Sequence, residues 1–317
     1  MSDRETGQGS EEGGGVVSEA PVRPRWVLAS VLLALTLAST LFNGVQLADV
    51  SGLGLGEEVT LTALLSEPSV WLQGASYALS LMAVLFVHEM GHYLPARRYG
   101  VQVSLPYFLP GFPPFGTFGA FIRMGMGRIS ASRLFHIGAG GPFAGFVVAL
   151  PILLIGLALS DVRPVPVELE GAHLGDSILM WLCTRAMFGE LPAGHDVFLH
   201  PMAYAGWVGM FVTSFNLVPL GQLDGGHIAF TLFGERFNQV VWGLLIGLMV
   251  LGVTVFPGWL VLVVLVLIMG PRHPNLTGGQ TLVGAERVAG YVGLLLFVLT
   301  FVPKPFEVPS LLGFLFD

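Results

Sequence analysis

Three long stretches of this chain, Trp26–Ala48, Leu72–Leu94 and Phe135–Ser160, are so apolar that a single water-covered core could not bury them all. Each is long enough to cross a hydrocarbon layer about 30 Å thick as a helix. Shorter apolar runs follow at 200–219, Val240–Phe256, Trp259–Met269 and Val288–Val302, the middle two separated by Pro257-Gly258 as in a tight helical hairpin. The pattern is that of an all-α polytopic membrane protein with about seven transmembrane helices. Composition agrees, since 53% of the 317 residues are hydrophobic and only 11% are charged, where a soluble domain has about 25% charged residues.

Arginines set the expected orientation. Arg23 and Arg25 precede the first run, Arg97 and Arg98 end the second, and Arg123, Arg128 and Arg133 precede the third. Asp49, Glu57, Glu58 and Glu67 lie between the first two runs. The N-terminus is therefore expected on the cytoplasmic side of the cell membrane. Residues 1–25 read as a disordered acidic tail, 26–303 as the membrane-embedded domain with its core at 72–227, and 304–317 as a short C-terminal tail. The formal charge of -7 and the single lysine, Lys304, leave no basic face for nucleic acid. The lone Cys183 excludes an internal disulfide and a thiolate metal cluster.

Residues 104–123 are apolar, yet Pro106, Pro110, Pro113 and Pro114 forbid a continuous helix. Gly116 to Ile122 reads as extended chain. Irregular backbone at membrane depth survives only where protein or a wet cavity satisfies it, so this segment is expected to be a re-entrant extended or β segment near the inner leaflet. Gly141 and Gly145 offer small residues that let another helix approach closely. The loop 161–199 reads as an outer loop with a surface helix over Ile178–Phe188.

The second run contains His88-Glu89-Met90-Gly91-His92. On a helix, residues four apart project from one face, so both imidazoles reach one ion, and Glu89 is placed to handle the proton of an activated water. Glu89 is the only acidic residue inside the runs, with Asp224 just past the end of the fourth. An ionisable group at that depth costs a few kcal/mol even on the milder scales, so its presence points to a function. Two imidazoles completed by one carboxylate, with one position left for water, is the donor set of a catalytic zinc site. Pro219 is expected to kink the fourth span and Gly225-Gly226 to unwind it beside the ion. His227 reads as a neighbour of the ligands or an interfacial residue; His136 and His200 read as interfacial.

Around Asp224 the sequence runs Asn216-Leu-Val-Pro219-Leu-Gly-Gln-Leu-Asp224-Gly225. With the His88–His92 motif, it resembles the site-2 protease family of intramembrane zinc metalloproteases, whose signatures are H-E-x-x-H and N-x-x-P-x-x-x-x-D-G on separate membrane helices. The GTFGAFI segment and the NLVPLGQLDGGH run are most similar to archaeal and chloroplast-type members without a PDZ domain. The resemblance implies that His88, His92 and Asp224 bind Zn2+, that Glu89 is the catalytic base and acid, and that Asn216 orients the substrate carbonyl. It also implies a transmembrane protein substrate reached within the lipid bilayer, held extended by the proline-rich segment. The alternatives from other classes are a membrane cation or proton transporter and a catalytically silent protein that binds membrane clients. Oligomeric state has no signature in the sequence.

Overall fold

The computed structural model describes residues 25–48, 67–125, 129–165, 174–271 and 281–307. The acidic N-terminal tail, the connection at 49–66, Arg128, Arg272 and residues 308–317 lie outside these. The described chain is mostly helical. Four of its helices are long and apolar enough to cross a membrane: α1 (Trp26–Gln46), α2 (Pro68–Arg98), α3 (Ala131–Ala158) and, later in the chain, Glu235–Thr254.

Between α2 and α3 lie β1 (Gln102–Val103), β2 (Tyr107–Pro110), β3 (Thr117–Phe121) and β4 (Met124–Gly125). β1 pairs antiparallel with β4 and β2 with β3, so the proline-rich segment is one nested hairpin with a register shift between Leu109 and Pro110. The extended chain expected at 116–122 is thus largely β3. After α3 come β5 (Asp161–Pro164), α4 (Ile178–Phe188) and β6 (His195–Phe198), with β5 and β6 antiparallel. α4 has the expected bounds, though it is not a surface helix throughout: Met180 and Cys183 turn into the core. The chain continues through α5 (Pro201–Leu217), α6 (Asp224–Phe233), α7 (Glu235–Thr254), α8 (Gly258–Met269) and α9 (Gly284–Thr300).

The burial pattern of α1 is inverted relative to a helix in water. Thr36, Thr40, Asn43 and Gly44 are buried while Trp26, Val27, Val31 and Leu35 are exposed. Where the surroundings are as apolar as leucine, burying leucine gains little, and close packing of small residues with interhelical hydrogen bonds holds helices together instead. At the centre, α2 packs against α3, and both pack against α5. Rings from α2 and α5 extend this contact as a column, with Tyr77 stacked on Tyr204, Tyr204 on Trp207 and Trp207 on Phe211.

The kink expected at Pro219 is instead a helix end, since α5 stops at Leu217. A residue that precedes proline is pushed out of the helical region, and Val218, just before Pro219, sits at φ -53°, ψ 123°. The chain then turns through 218–223 before α6 begins at Asp224. Replacing Pro219 by Ala would let α5 continue and carry Asp224 away from its present position. Activity is expected to fall at least about tenfold, as misplacement by an ångström can cost more than that, with little change in melting temperature. Parallel loss of both, followed by turnover and thermal melts, would make the break purely architectural.

Candidate metal centre

α2 presents His88 and His92 one turn apart, and α6 begins with Asp224 at the same level. His88 Nε2 and His92 Nε2 are 3.2 Å apart. Asp224 Oδ2 lies 3.4 Å from the first and 3.2 Å from the second. A tetrahedral ion with ligand distances of about 2.0–2.1 Å sets neighbouring ligand atoms about 3.3 Å apart. The three atoms therefore already form one face of such a tetrahedron, and they could hold a metal ion. The imidazoles are 4% and 7% exposed and the carboxylate 18%, so the site opens on the aspartate side.

The orientation of His92 is fixed from behind. Its Nδ1 lies 2.7 Å from the Ile137 carbonyl on α3. A carbonyl only accepts, so Nδ1 carries the proton and Nε2 presents its lone pair to the site. This contact needs α2 and α3 to be almost touching. A Cβ on Gly91 would lie 2.3 Å from the Gly140 oxygen, and one on Gly141 would lie 2.0 Å from His92 Nε2. A Cβ on Gly145 would lie 3.0 Å from His88 Nδ1. The helix admitted by the expected Gly141/Gly145 stripe is thus the one that carries both histidines.

Asp224 owes its place to the turn before it. Gly225 and Gly226 do not unwind the chain as expected, for both are helical and buried in the first turn of α6. A Cβ on Gly225 would lie 1.9 Å from the Leu217 carbonyl oxygen, and one on Gly226 would lie 2.4 Å from that of Gly221. Their small size lets α6 fold back against the end of α5. A carboxylate in the first turn of a helix also faces unpaired N–H groups and the positive end of the helix dipole.

Glu89 is buried. The Ile122 backbone, just past β3, lies close to its carboxylate, which is within electrostatic range of His92 and Asp224. Asn216, in the last turn of α5, places its amide nitrogen 3.3 Å from His88 Nε2. All five residues singled out in the sequence therefore converge. His227 does not fit the interfacial alternative: it is buried, and its Cβ lies where a side chain on Gly138 would be. His136 lies in the second turn of α3, with its Nδ1 2.6 Å from the Tyr99 hydroxyl. The contact behind His92 that sequence reasoning missed acts through a backbone atom, the Ile137 carbonyl, for which no side-chain signature exists.

The family model of Peptidase family M50 matches residues 76–252, from α2 into α7, and takes in all five converging side chains. The chain belongs to peptidase family M50. Among M50 relatives, a probable zinc metalloprotease EGY1 of Arabidopsis thaliana chloroplasts is 35% identical over 235 residues, covering 71% of this chain and 42% of the relative. The EGY1 counterpart from Oryza sativa subsp. japonica is 34% identical over 245 residues, 74% of this chain and 42% of its own. A probable zinc metalloprotease EGY2 of Arabidopsis thaliana chloroplasts is 32% identical over 238 residues, again 74% and 42%. The M50 chain thus spans about two fifths of the length of these relatives. No solved structure matches it significantly.

Proposed function

We propose that this chain is a zinc-dependent intramembrane endopeptidase that hydrolyses peptide bonds in or near transmembrane segments of other membrane proteins. The observation that carries this reading is the triangle of His88 Nε2, His92 Nε2 and Asp224 Oδ2, with edges of 3.2–3.4 Å, beside a buried glutamate. Membership of M50 and the zinc metalloproteases among its relatives support the same choice of ion.

In this reading His88, His92 and Asp224 hold Zn2+. The ion supplies Lewis acidity toward a peptide carbonyl and lowers the pKa of water near it. Glu89 takes a proton from the attacking water and delivers it to the leaving amine nitrogen. The Ile122 backbone lies beside its carboxylate. Asn216 directs its amide N–H toward the carbonyl oxygen as negative charge develops there.

A transmembrane substrate must lose its helix before this chemistry, because helical carbonyls are hydrogen-bonded and shielded. Among the described residues β3 pairs with one strand, β2, and its end at Phe121 leads to Ile122, whose backbone lies beside Glu89. Its other edge offers backbone groups to an extended substrate strand. We further assign the hairpin as re-entrant. It leaves α2 beside Arg98, and at Phe115 it meets Tyr77 of the same helix, about 30 Å back along the axis at 1.5 Å per residue. About seven spans follow if α5, α8 and α9 are added to the four long helices. The flanking arginines favour a cytoplasmic N-terminus in the cell membrane, with 26–303 as the membrane domain.

The test is cleavage of a defined transmembrane peptide by the purified chain in liposomes. A zinc chelator is expected to abolish cleavage and stoichiometric Zn2+ to restore it. Cleavage that persists in metal-free protein would refute the proposal.

A further inference from the structure

Three helices converge on the tip of the β2–β3 hairpin. Ser39 Oγ donates to the Gly116 carbonyl at 2.7 Å, Asn43 Nδ2 to that of Pro114 at 2.8 Å, and the Tyr77 hydroxyl to that of Phe115 at 2.7 Å. The Tyr204 hydroxyl reaches the Pro114 carbonyl as well, at 3.3 Å. Three successive backbone oxygens are thus held by side chains from α1, α2 and α5. Asn43 and Tyr77 are buried, and Gly116 sits at φ +73° with the α1 backbone where a Cβ would be.

Satisfying buried carbonyls explains why some donors are present. It does not explain why one rigid tip is tied to three separate helices. A two-stranded hairpin is marginally stable alone, and this one also has a register break at Leu109/Pro110. β3 packs against α2, and at its far end the Ile122 backbone lies beside Glu89. From Gly116 to Ile122 extended chain covers about 20 Å, so a strand fixed at the tip can carry that position to the catalytic glutamate.

We infer that Ser39, Asn43 and Tyr77 are positioning residues that set the axial position of β3, and with it which peptide bond of an extended substrate lies at the metal. This rests on the assignment of β3 as the substrate edge. α1 then contributes to the choice of cleavage site without touching the reacting atoms.

The experiment compares the full chain in liposomes with an Asn43→Leu/Tyr77→Phe double variant, using a transmembrane peptide that the wild type cuts at one bond. Product termini are read by mass spectrometry, with kcat, KM and zinc content measured separately. The double variant is expected to spread cleavage to bonds one or two residues away. Its kcat should fall about ten- to a hundredfold, with KM and zinc content within about twofold of wild type. Ser39→Ala should show the same spread more weakly, and Ser39→Thr, which keeps the hydroxyl, should restore the single site. Cleavage at the one original bond with unchanged kcat would overturn the inference. Hydrogen exchange gives a readout independent of turnover. Residues 117–122 should exchange faster in the double variant while 84–96 remain protected; equal protection of 117–122 in both proteins overturns the clamp even if the peptidase reading itself fails.

Discussion

Glu89→Gln is expected to bind one zinc per chain, melt like the wild type and cleave about 10²–10⁴ times more slowly, the usual contribution of a positioned acid–base group. The amide keeps the size of the carboxyl group, so packing at this buried position is preserved. It cannot accept a proton from water and return it to an amine. Single-turnover cleavage with zinc analysis on the same preparation separates these effects. A Glu89→Gln variant that cleaves at the wild-type rate would remove Glu89 from the chemistry. Metal movement across liposomes that survives the substitution together with lost cleavage would bring back a transport function.

Gly141→Ala is expected to do the opposite, losing metal before anything else. The added methyl would lie 2.0 Å from His92 Nε2 and 2.4 Å from its Cδ2. It can be accommodated only if the imidazole swings away or α2 and α3 separate. Separation is resisted by Gly91 and Gly140, whose backbones are already in contact, and by the bond from His92 Nδ1 to Ile137. Overpacking of this kind costs about 1–3 kcal/mol of stability, and rotation of the ring removes a ligand. Zinc affinity should fall by at least about two orders of magnitude, the upper end of what loss of a partner behind a ligand produces. Gly243→Ala on α7 is the control, because nothing lies within 4 Å of its added methyl and alanine is favoured in a helix. If both variants retain zinc equally, the contact between α2 and α3 is not what aims His92.

Much of this site was legible in the sequence, and for definite reasons. His88, Glu89 and His92 announce themselves because helical spacing puts both imidazoles on one face and because charge is costly in an apolar run. Gly141 and Gly145 were legible as a packing stripe, though not as the surface against which the histidines rest. The break after Leu217 was placed near the right proline and given the wrong form. A kink needs helix on both sides, and Val218 in extended conformation leaves none. Gly225 and Gly226 misled for a related reason: glycine signals both unwinding and close approach, and only the position of the Leu217 carbonyl decides between them. The tie between Ile137 and His92 had no signature, since every residue has a carbonyl. Ser39, Asn43 and Tyr77 have no signature either, since the backbone oxygens they hold lie 77, 71 and 38 residues away along the chain.

Equilibrium zinc binding to the purified wild type and to Asp224→Ala bears on the whole proposal most directly. One ion per chain in the wild type, with affinity in Asp224→Ala reduced at least about a hundredfold while the helices remain folded, is the expected result. Unchanged stoichiometry and affinity in Asp224→Ala would contradict it, because α2 and α6 would then share no ion.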